Sequence, residues 1–265
     1  MLLLGLTGSI ATGKSTVSRL LSSSPYNLPV IDADVLARKV VEPGTPGYRA
    51  VVSYFLPTTP DLLLPSGALD RAALGRRVFG SSPERVRDRK VLNGIVHPLV
   101  RKETCKAILR AWTSGTWAVV LDVPLLFEAG MEVICGGVIV VAVDEETQLR
   151  RLMARDAGAG LTEEDARRRI KSQWSCAGKA ELARFVFEKN AWIVDNSGSL
   201  EDLQTQVDAV VREAGRERMG LWRWVWGNPP VALLWGVAMV VVRNWWRKRQ
   251  WDKRRKMEET AKAKL

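Results

Sequence analysis

The sequence has few of the residues that build metal sites and disulfide frameworks. It contains one histidine, His97, and three widely separated cysteines without C-x-x-C spacing, Cys105, Cys135 and Cys176. This set supplies too few ligands for a zinc site and no disulfide pattern, so a reduced compartment is expected. With 265 residues, 46% of them hydrophobic and 26% charged, the chain is long and apolar enough to bury a large core.

Two further signatures are missing. There is no N-K-x-D motif of the kind that recognises guanine, so a GTPase lacks support. The first residues, MLLLGL, have no basic segment before them and run directly into a glycine motif. We therefore interpret them as a first strand rather than as a signal peptide.

Charge and tryptophan are concentrated at the C-terminus. The net charge is +11, of which the last 23 residues carry +7, so residues 1–242 are only mildly basic and no nucleic-acid partner is expected. Seven of the 11 tryptophans lie within the last 44 residues. This change in composition predicts a main domain at 1–215 and an extension at 216–265.

Short apolar runs alternate with segments of helical period along the main domain. The runs are Leu2–Leu6, Leu28–Ile31, Trp117–Leu121, Val138–Val143 and Ala191–Val194. Runs that are apolar at nearly every position are typical of strands buried on both faces of a parallel sheet. We therefore predict an α/β fold with a doubly wound five-stranded parallel sheet, a helical insertion at about 60–115 and a lid at about 145–180.

A phosphate-binding loop follows the first strand. The segment G-S-I-A-T-G-K-S fits G-x-x-x-x-G-K-[ST] between a strand and a helix, which is the context that supports the motif. Such a loop turns its backbone N–H groups toward phosphates, so ATP is the expected ligand, with Lys14 on the β- and γ-phosphates and the Ser15 hydroxyl on Mg²⁺. The predicted ATP-binding residues here are Gly8, Ser9, Ile10, Ala11, Thr12, Gly13, Lys14, Ser15 and Thr16.

Carboxylates follow the second and third predicted strands. Asp32 and Asp34 stand at the carboxyl end of the sheet, where a carboxylate is able to accept the proton of an attacking hydroxyl. The alternative for either residue is the N-cap of the helix that begins near Val35. Asp122 ends the third strand and is predicted to bind magnesium, the alternative being an ordinary turn aspartate.

Seven blocks together resemble the dephospho-CoA kinase family. They are GLTGSIATGKST, VIDADVLARKVVEPGTPGY, GALDRAALGRRVF, LNGIVHPLV, DVPLLFEAGME, QLRRLMARD and WIVDNSGSLEDL. The resemblance covers about residues 1–212 and implies a P-loop core with a helical CoA-binding insertion and a lid. It also implies transfer of the γ-phosphate of ATP to the ribose 3′-hydroxyl of dephospho-CoA, the last step of coenzyme A synthesis.

The resemblance also implies roles for individual residues. It implies Asp34 as the general base, Lys14 as a catalytic group, and Arg151 and Arg155 as lid arginines that close on the phosphates. Fixed guanidinium groups would stabilise charge on the transferred phosphoryl group. The alternative for each arginine is a solvated basic helix face.

Other matching positions concern the two substrates. Arg71 and His97 are assigned to the dephospho-CoA site and Asn196 to the ATP site, with a satisfied buried histidine as the alternative for His97. One departure lies in the loop, where Ala11 stands at a position that is often glycine in the family. We expect its side chain to be accepted only if φ is negative there.

The C-terminal extension lies outside this resemblance. Val231–Val242 is apolar all round, and tryptophans flank it on both sides, Trp222, Trp224 and Trp226 before it and Trp245, Trp246 and Trp251 after it. From Trp226 to Trp245 a helix would rise about 28 Å, the spacing of two interfacial aromatic belts. We predict a transmembrane helix and membrane contact through residues 221–256, with an interfacial anchor and a buried helix as alternatives.

The expected location in the cell follows from this C-terminal extension. The catalytic part is predicted to stay in the cytoplasm, anchored to an organelle membrane such as the mitochondrial outer membrane or the ER. The terminal Ala263-Lys264-Leu265 is one substitution from the peroxisomal address S-K-L. Two alternative functions stay open: a P-loop kinase of another hydroxyl or nucleotide substrate, and a non-enzymatic ATP-binding membrane regulator.

Overall fold

The computed structural model describes residues 1–226 and 229–262, with side chains for 1–158, 160–216 and 237–256. The chain forms two compact units. One contains Met1–Val30 together with the chain from Gly115 onward, and the other is Ile31–Ser114.

Five strands form one sheet, which confirms the predicted α/β fold. They are β1 (Leu2–Gly8), β2 (Val30–Asp32), β3 (Ala118–Asp122), β4 (Gly137–Ala142) and β5 (Ala191–Asp195), in the order β2-β3-β1-β4-β5. β1 pairs in parallel with β3 and β4, and β4 pairs in parallel with β5. Each strand overlaps one of the predicted apolar runs.

Ten helices accompany the sheet in the described residues. They are α1 (Lys14–Ser22), α2 (Ala33–Lys39), α3 (Pro46–Phe55), α4 (Arg71–Val78), α5 (Pro83–Thr113), α6 (Glu145–Arg155), α7 (Glu163–Lys171), α8 (Cys176–Phe187), α9 (Leu200–Trp226) and α10 (Pro229–Lys262). A short 3-10 turn, Met131–Ile134, precedes β4.

The core of the first unit fixes the strand from which the phosphate-binding loop begins. Leu4 and Leu6 of β1 are fully buried, and they belong to a cluster that includes Val17 of α1 and Val207 of α9. Burial of several such side chains contributes about 1.5–3 kcal/mol each. The first strand and first helix are therefore both held by the core, and the loop between them has two fixed ends.

The second unit is helical and has its own core. Helices α2 to α5 lie within it, and Phe55 and Val51 of α3 pack with Leu62, Leu69 and Val78. Helices α4 and α5 fall in the range predicted for the insertion.

The C-terminal extension does not contain the predicted transmembrane helix in its described part. None of the helices, over the residues described, has the length and apolar character that a membrane crossing requires. Beyond Val242, α10 is rich in Lys and Arg, Asn244 is fully buried in the protein, and Trp251 packs against Phe185 rather than standing in a second aromatic belt. The side chains of the first tryptophan cluster and of residues 231–236 lie outside the described residues.

Candidate active site

The phosphate-binding loop connects β1 to α1. Gly13 stands at the N-cap of α1 with φ +84°, and no side chain caps that helix. By contrast, α2 and α4 are capped by the carboxylates of Asp32 and Asp70. An uncapped helix N-terminus offers backbone N–H groups and a positive dipole end to an anion, which suits a phosphate.

Ala11 adopts the left-handed conformation, with φ +60°. The expectation of a negative φ at this position is therefore wrong. An alanine pays about 1 kcal/mol for this region because its Cβ approaches the backbone oxygen, a cost small enough for the fixed ends of the loop to impose.

Lys14 and Asp122 are brought together by the sheet. Asp122 ends β3 directly beside Leu6 of β1, and its carboxylate accepts a hydrogen bond from the Lys14 ammonium group. The Asp122 side chain is 4% exposed and the Lys14 side chain is 17% exposed. The pair places a cation at the phosphate loop, and the exposed Ser15 follows it on α1.

Asn196 holds the loop from the end of β5. Its side-chain amide donates a 2.8 Å hydrogen bond to the carbonyl of Thr12, and its own N–H donates to Ala142 at 2.9 Å. The residue is 8% exposed. Asn196 therefore contacts the backbone of the loop that is predicted to bind ATP, and its own role in ATP binding stays a prediction.

Three loop contacts were missed by the sequence analysis. Gln148 of α6 donates to the Ile10 carbonyl at 2.7 Å, and the Gln173 side chain accepts from the Ile10 N–H at 2.9 Å. The carbonyl of Trp174 accepts a 2.7 Å hydrogen bond from the Ser9 hydroxyl. Each contact spans more than 130 residues of sequence, and no local pattern signals it.

A buried lysine supports the segment that follows Asp122. The Lys179 side chain is fully buried in α8, donates to the Pro124 carbonyl at 2.8 Å and pairs with Glu128 at 3.2 Å. Burial lowers the pKa of Lys179, and the Glu128 carboxylate opposes that shift. The lysine thereby fixes the chain just beyond the Asp122 carboxylate.

The two predicted lid arginines have different surroundings. Arg155, more than half exposed, donates to Asp156 at 2.8 Å, and Arg169 pairs with the same carboxylate at 3.0 Å. The hydrogen bond from Arg155 lowers the pKa of Asp156. The Nη1 atom of Arg151 is buried and has no hydrogen-bond partner among the described residues, which suits a guanidinium whose partner is an anionic ligand.

In the helical unit, capping distinguishes Asp32, which ends β2, from Asp34, which lies in the first turn of α2. The Asp32 carboxylate accepts hydrogen bonds from the N–H groups of Asp34 and Val35, at 2.8 and 3.0 Å. The capping alternative therefore belongs to Asp32, whereas the side chain of Asp34 is exposed.

The predicted acceptor residues also lie in this unit. Arg71 is the first residue of α4 and is exposed, and Asp70 before it caps the helix. His97 lies inside α5 just before Pro98 and is exposed. The alternative of a satisfied buried histidine is therefore wrong, and the substrate-binding role of His97 stays a prediction.

Known proteins match this chain over the part that contains the sheet and the helical unit. A family model described as dephospho-CoA kinase matches residues 2–201. The chain belongs to this family. It is 45% identical over 213 residues to a dephospho-CoA kinase of Saccharomyces cerevisiae, covering 80% of this chain and 83% of the relative. It is 43% identical over 216 residues to the dephospho-CoA kinase of Arabidopsis thaliana, covering 82% and 85%.

Solved structures agree with this family membership. The dephospho-CoA kinase of Campylobacter jejuni is 28% identical, with a TM-score of 0.57 over 82% of this chain and 98% of that structure. The structure of TT1252 from Thermus thermophilus is 36% identical, with a TM-score of 0.59 over 80% of this chain and 97% of that one. The family model ends at residue 201, so α10 lies beyond it.

Proposed function

We propose that this chain transfers the γ-phosphate of ATP to the ribose 3′-hydroxyl of dephospho-CoA, giving coenzyme A and ADP. The observation that carries the proposal is a phosphate loop with an uncapped helix N-terminus and the Lys14–Asp122 pair beside it, in a chain of this family. Phosphoryl transfer needs mainly positioning and stabilisation of negative charge, which such a loop supplies.

On the nucleotide side, Lys14 would bind the β- and γ-phosphates. The unpartnered Nη1 of Arg151 supports a role for that guanidinium on the phosphates. Arg155 would contribute by exchanging Asp156 for a phosphate oxygen when a lid closes.

On the acceptor side, Asp34 would accept the proton of the attacking hydroxyl. The assignment of Asp34 over Asp32 is supported by capping, because Asp32 already accepts two backbone hydrogen bonds. A carboxylate that caps a helix is held by those backbone N–H groups, whereas the Asp34 side chain is exposed to an incoming acceptor. Arg71 and His97, both exposed, would bind dephospho-CoA.

Magnesium would be held by the Ser15 hydroxyl and the Asp122 carboxylate together with phosphate oxygens. Hard oxygen donors suit this ion, which is usually bound by one or two protein groups. The described residues contain no group of three or more His, Cys, Asp or Glu able to hold a metal. When bound, the ion would neutralise charge on the phosphates.

The test of the proposed activity uses the purified full-length chain with ATP and dephospho-CoA, following CoA and ADP by chromatography. AMP is supplied in parallel as the acceptor of a nucleoside monophosphate kinase. Formation of CoA that is lost in Lys14→Ala, with no ADP made from AMP, supports the proposal. Phosphorylation of AMP in preference to dephospho-CoA would overturn it.

We also propose that the described part of α10 contacts an anionic membrane surface, with the catalytic part in the cytoplasm on an organelle membrane. The described part of α10 exposes Trp245 and Trp246, which are 48% and 57% exposed, and also Val237, Met239 and Val242. Of the eight Lys or Arg between 243 and 256, six are exposed and favour anionic lipid headgroups, whereas Arg247 and Lys248 pair with Glu188 and Glu132. The peroxisomal tripeptide lies outside the described residues and stays a prediction.

The membrane proposal is tested by flotation of the full-length chain with vesicles of neutral or anionic lipid. We expect binding to anionic vesicles only, and reduced binding of a Trp245→Ala, Trp246→Ala variant with unchanged kinase activity. Equal recovery of the wild-type chain with and without anionic lipid would contradict it.

A further inference from the structure

The C-terminal helix α10 is anchored in the kinase core by a buried asparagine. Asn244 is fully buried, and its side-chain amide donates to the carbonyls of Cys135 at 2.8 Å and Val133 at 3.3 Å. These carbonyls lie at the end of the 3-10 turn before β4, where helical backbone acceptors lose their internal partners. A residue beyond the family model thus completes the hydrogen bonding of the family core.

A buried ion pair provides a second anchor. The Glu132 side chain is fully buried and pairs with the ammonium group of Lys248, which also donates to the Phe127 carbonyl at 2.9 Å. Burial raises the pKa of Glu132, and the hydrogen bond from Lys248 opposes that shift. Because Lys248 contacts both Glu132 and the Phe127 carbonyl, this buried pair sets the register of α10 against the core.

Further contacts align α10 with α8. Arg247 donates to the Val186 carbonyl at 3.1 Å and pairs with Glu188 at 2.8 Å. The ring of Trp251 lies 5.3 Å from that of Phe185, measured between centroids. Three successive turns of α10 are therefore fixed on the core before the chain reaches Arg255.

Arg255 contacts the segment that holds the phosphate loop. Its guanidinium carbon lies 5.1 Å from the ring centroid of Trp174, within the range of a cation–π interaction. The backbone of Trp174 accepts the hydrogen bond from the Ser9 hydroxyl, and the neighbouring Gln173 accepts from the Ile10 N–H. A continuous set of contacts thus joins α10 to the loop.

We propose that Arg255 is a positioning residue of the kinase, which acts through Trp174 to hold the phosphate loop in its nucleotide-binding geometry. The proposal rests on the proposed function only in taking ATP as the ligand of the loop. It gives the C-terminal extension a part in nucleotide binding that is separate from any membrane contact.

The test measures ATP binding to the full-length chain by titration calorimetry, without an acceptor, so that failure of dephospho-CoA phosphorylation does not affect it. Variants are Arg255→Ala, Arg255→Lys, Trp174→Ala and the double variant Trp174→Ala, Arg255→Ala. The matched control is Arg254→Ala, whose guanidinium carbon lies 5.1 Å from the Phe185 ring instead. Melting temperatures report on folding.

We expect Arg255→Ala to weaken ATP binding about two- to five-fold, the range of one partly exposed cation–π contact. Arg255→Lys should restore part of the loss, Arg254→Ala should bind as wild type, and the double variant should bind no more weakly than Trp174→Ala alone. Wild-type affinity in Arg255→Ala, or equal losses in Arg255→Ala and Arg254→Ala that follow a lower melting temperature, would overturn the proposal. So would additive losses in the double variant.

Discussion

The side-chain amide of Asn196 occupies the space that a Cβ atom on Gly13 would need. A Cβ built on Gly13 would lie 2.1 Å from the Asn196 nitrogen, and Gly13 has a φ of +84°. Two independent causes, a close approach and a left-handed backbone, therefore require glycine here. The same amide donates to Thr12, so the end of β5 fixes the loop where α1 begins.

Asn196→Ala should weaken ATP binding about five-fold, because it removes one buried hydrogen bond worth about 1 kcal/mol to the loop. Titration calorimetry with ATP measures the change. Asn190→Ala is the matched control, since its amide donates to the Gly136 carbonyl at 3.1 Å, at the opposite end of β5. Equal weakening in both variants would show that Asn196 has no specific effect on the loop.

Asp34→Asn should lower kcat by about 10² or more with ATP affinity nearly unchanged, because a general base acts on the acceptor hydroxyl. Steady-state kinetics with dephospho-CoA and direct ATP binding separate the two effects. Asp32→Asn is the control, because asparagine caps a helix about as well as aspartate. If Asp32→Asn is the inactive variant and Asp34→Asn the active one, the base is Asp32.

Arg155→Ala should lower kcat more than it raises KM for ATP, because an arginine that closes on the phosphates acts mainly in the transition state. Arg169→Ala serves as the control, since Arg169 pairs with the same Asp156 carboxylate. The proposed role would be excluded by a change in KM alone, or by equal kinetic losses in the two variants.

The sheet and the phosphate loop were predictable because their signals are local. Strands buried on both faces, such as β4, must be apolar throughout, and the loop needs glycine, lysine and serine at fixed spacing. The packing of α10 on the core was not predictable, because a tryptophan-rich helix has the same composition whether it contacts lipid or protein. Trp251 and the buried Asn244 indicate packing on the core of the same chain only when the positions of Phe185 and of the turn before β4 are known.

Ala11→Gly should stabilise the protein by about 0.5–1 kcal/mol, because glycine adopts a φ of +60° without the steric cost that alanine carries. Urea unfolding of the full-length chain measures the difference. The control is Ala209→Gly, at an exposed position inside α9, where glycine should destabilise by about 1 kcal/mol. Destabilisation of both variants by equal amounts would contradict the strain at Ala11.

Lys248→Met should destabilise the protein by about 3 kcal/mol at neutral pH, because it leaves the fully buried Glu132 without its cation. The loss should depend on pH. Burial already raises the pKa of Glu132 above 4.5 in the folded state, and removal of Lys248 removes a contact that lowers it. A carboxyl with a raised folded pKa contributes stability below its unfolded pKa and loses it as pH rises through the folded pKa.

Lys248→Met should therefore be closest to wild type near pH 4.5 and fall further below it as the pH rises toward 7. Urea unfolding at several pH values measures this, with Lys253→Met, an exposed lysine of the same helix, as the control. Addition of Glu132→Gln to Lys248→Met should remove most of the pH dependence, because the group that must be charged in the core is gone. A pH-independent loss, or no recovery in the double variant, would show that Lys248 acts through packing of its aliphatic stem rather than through its charge.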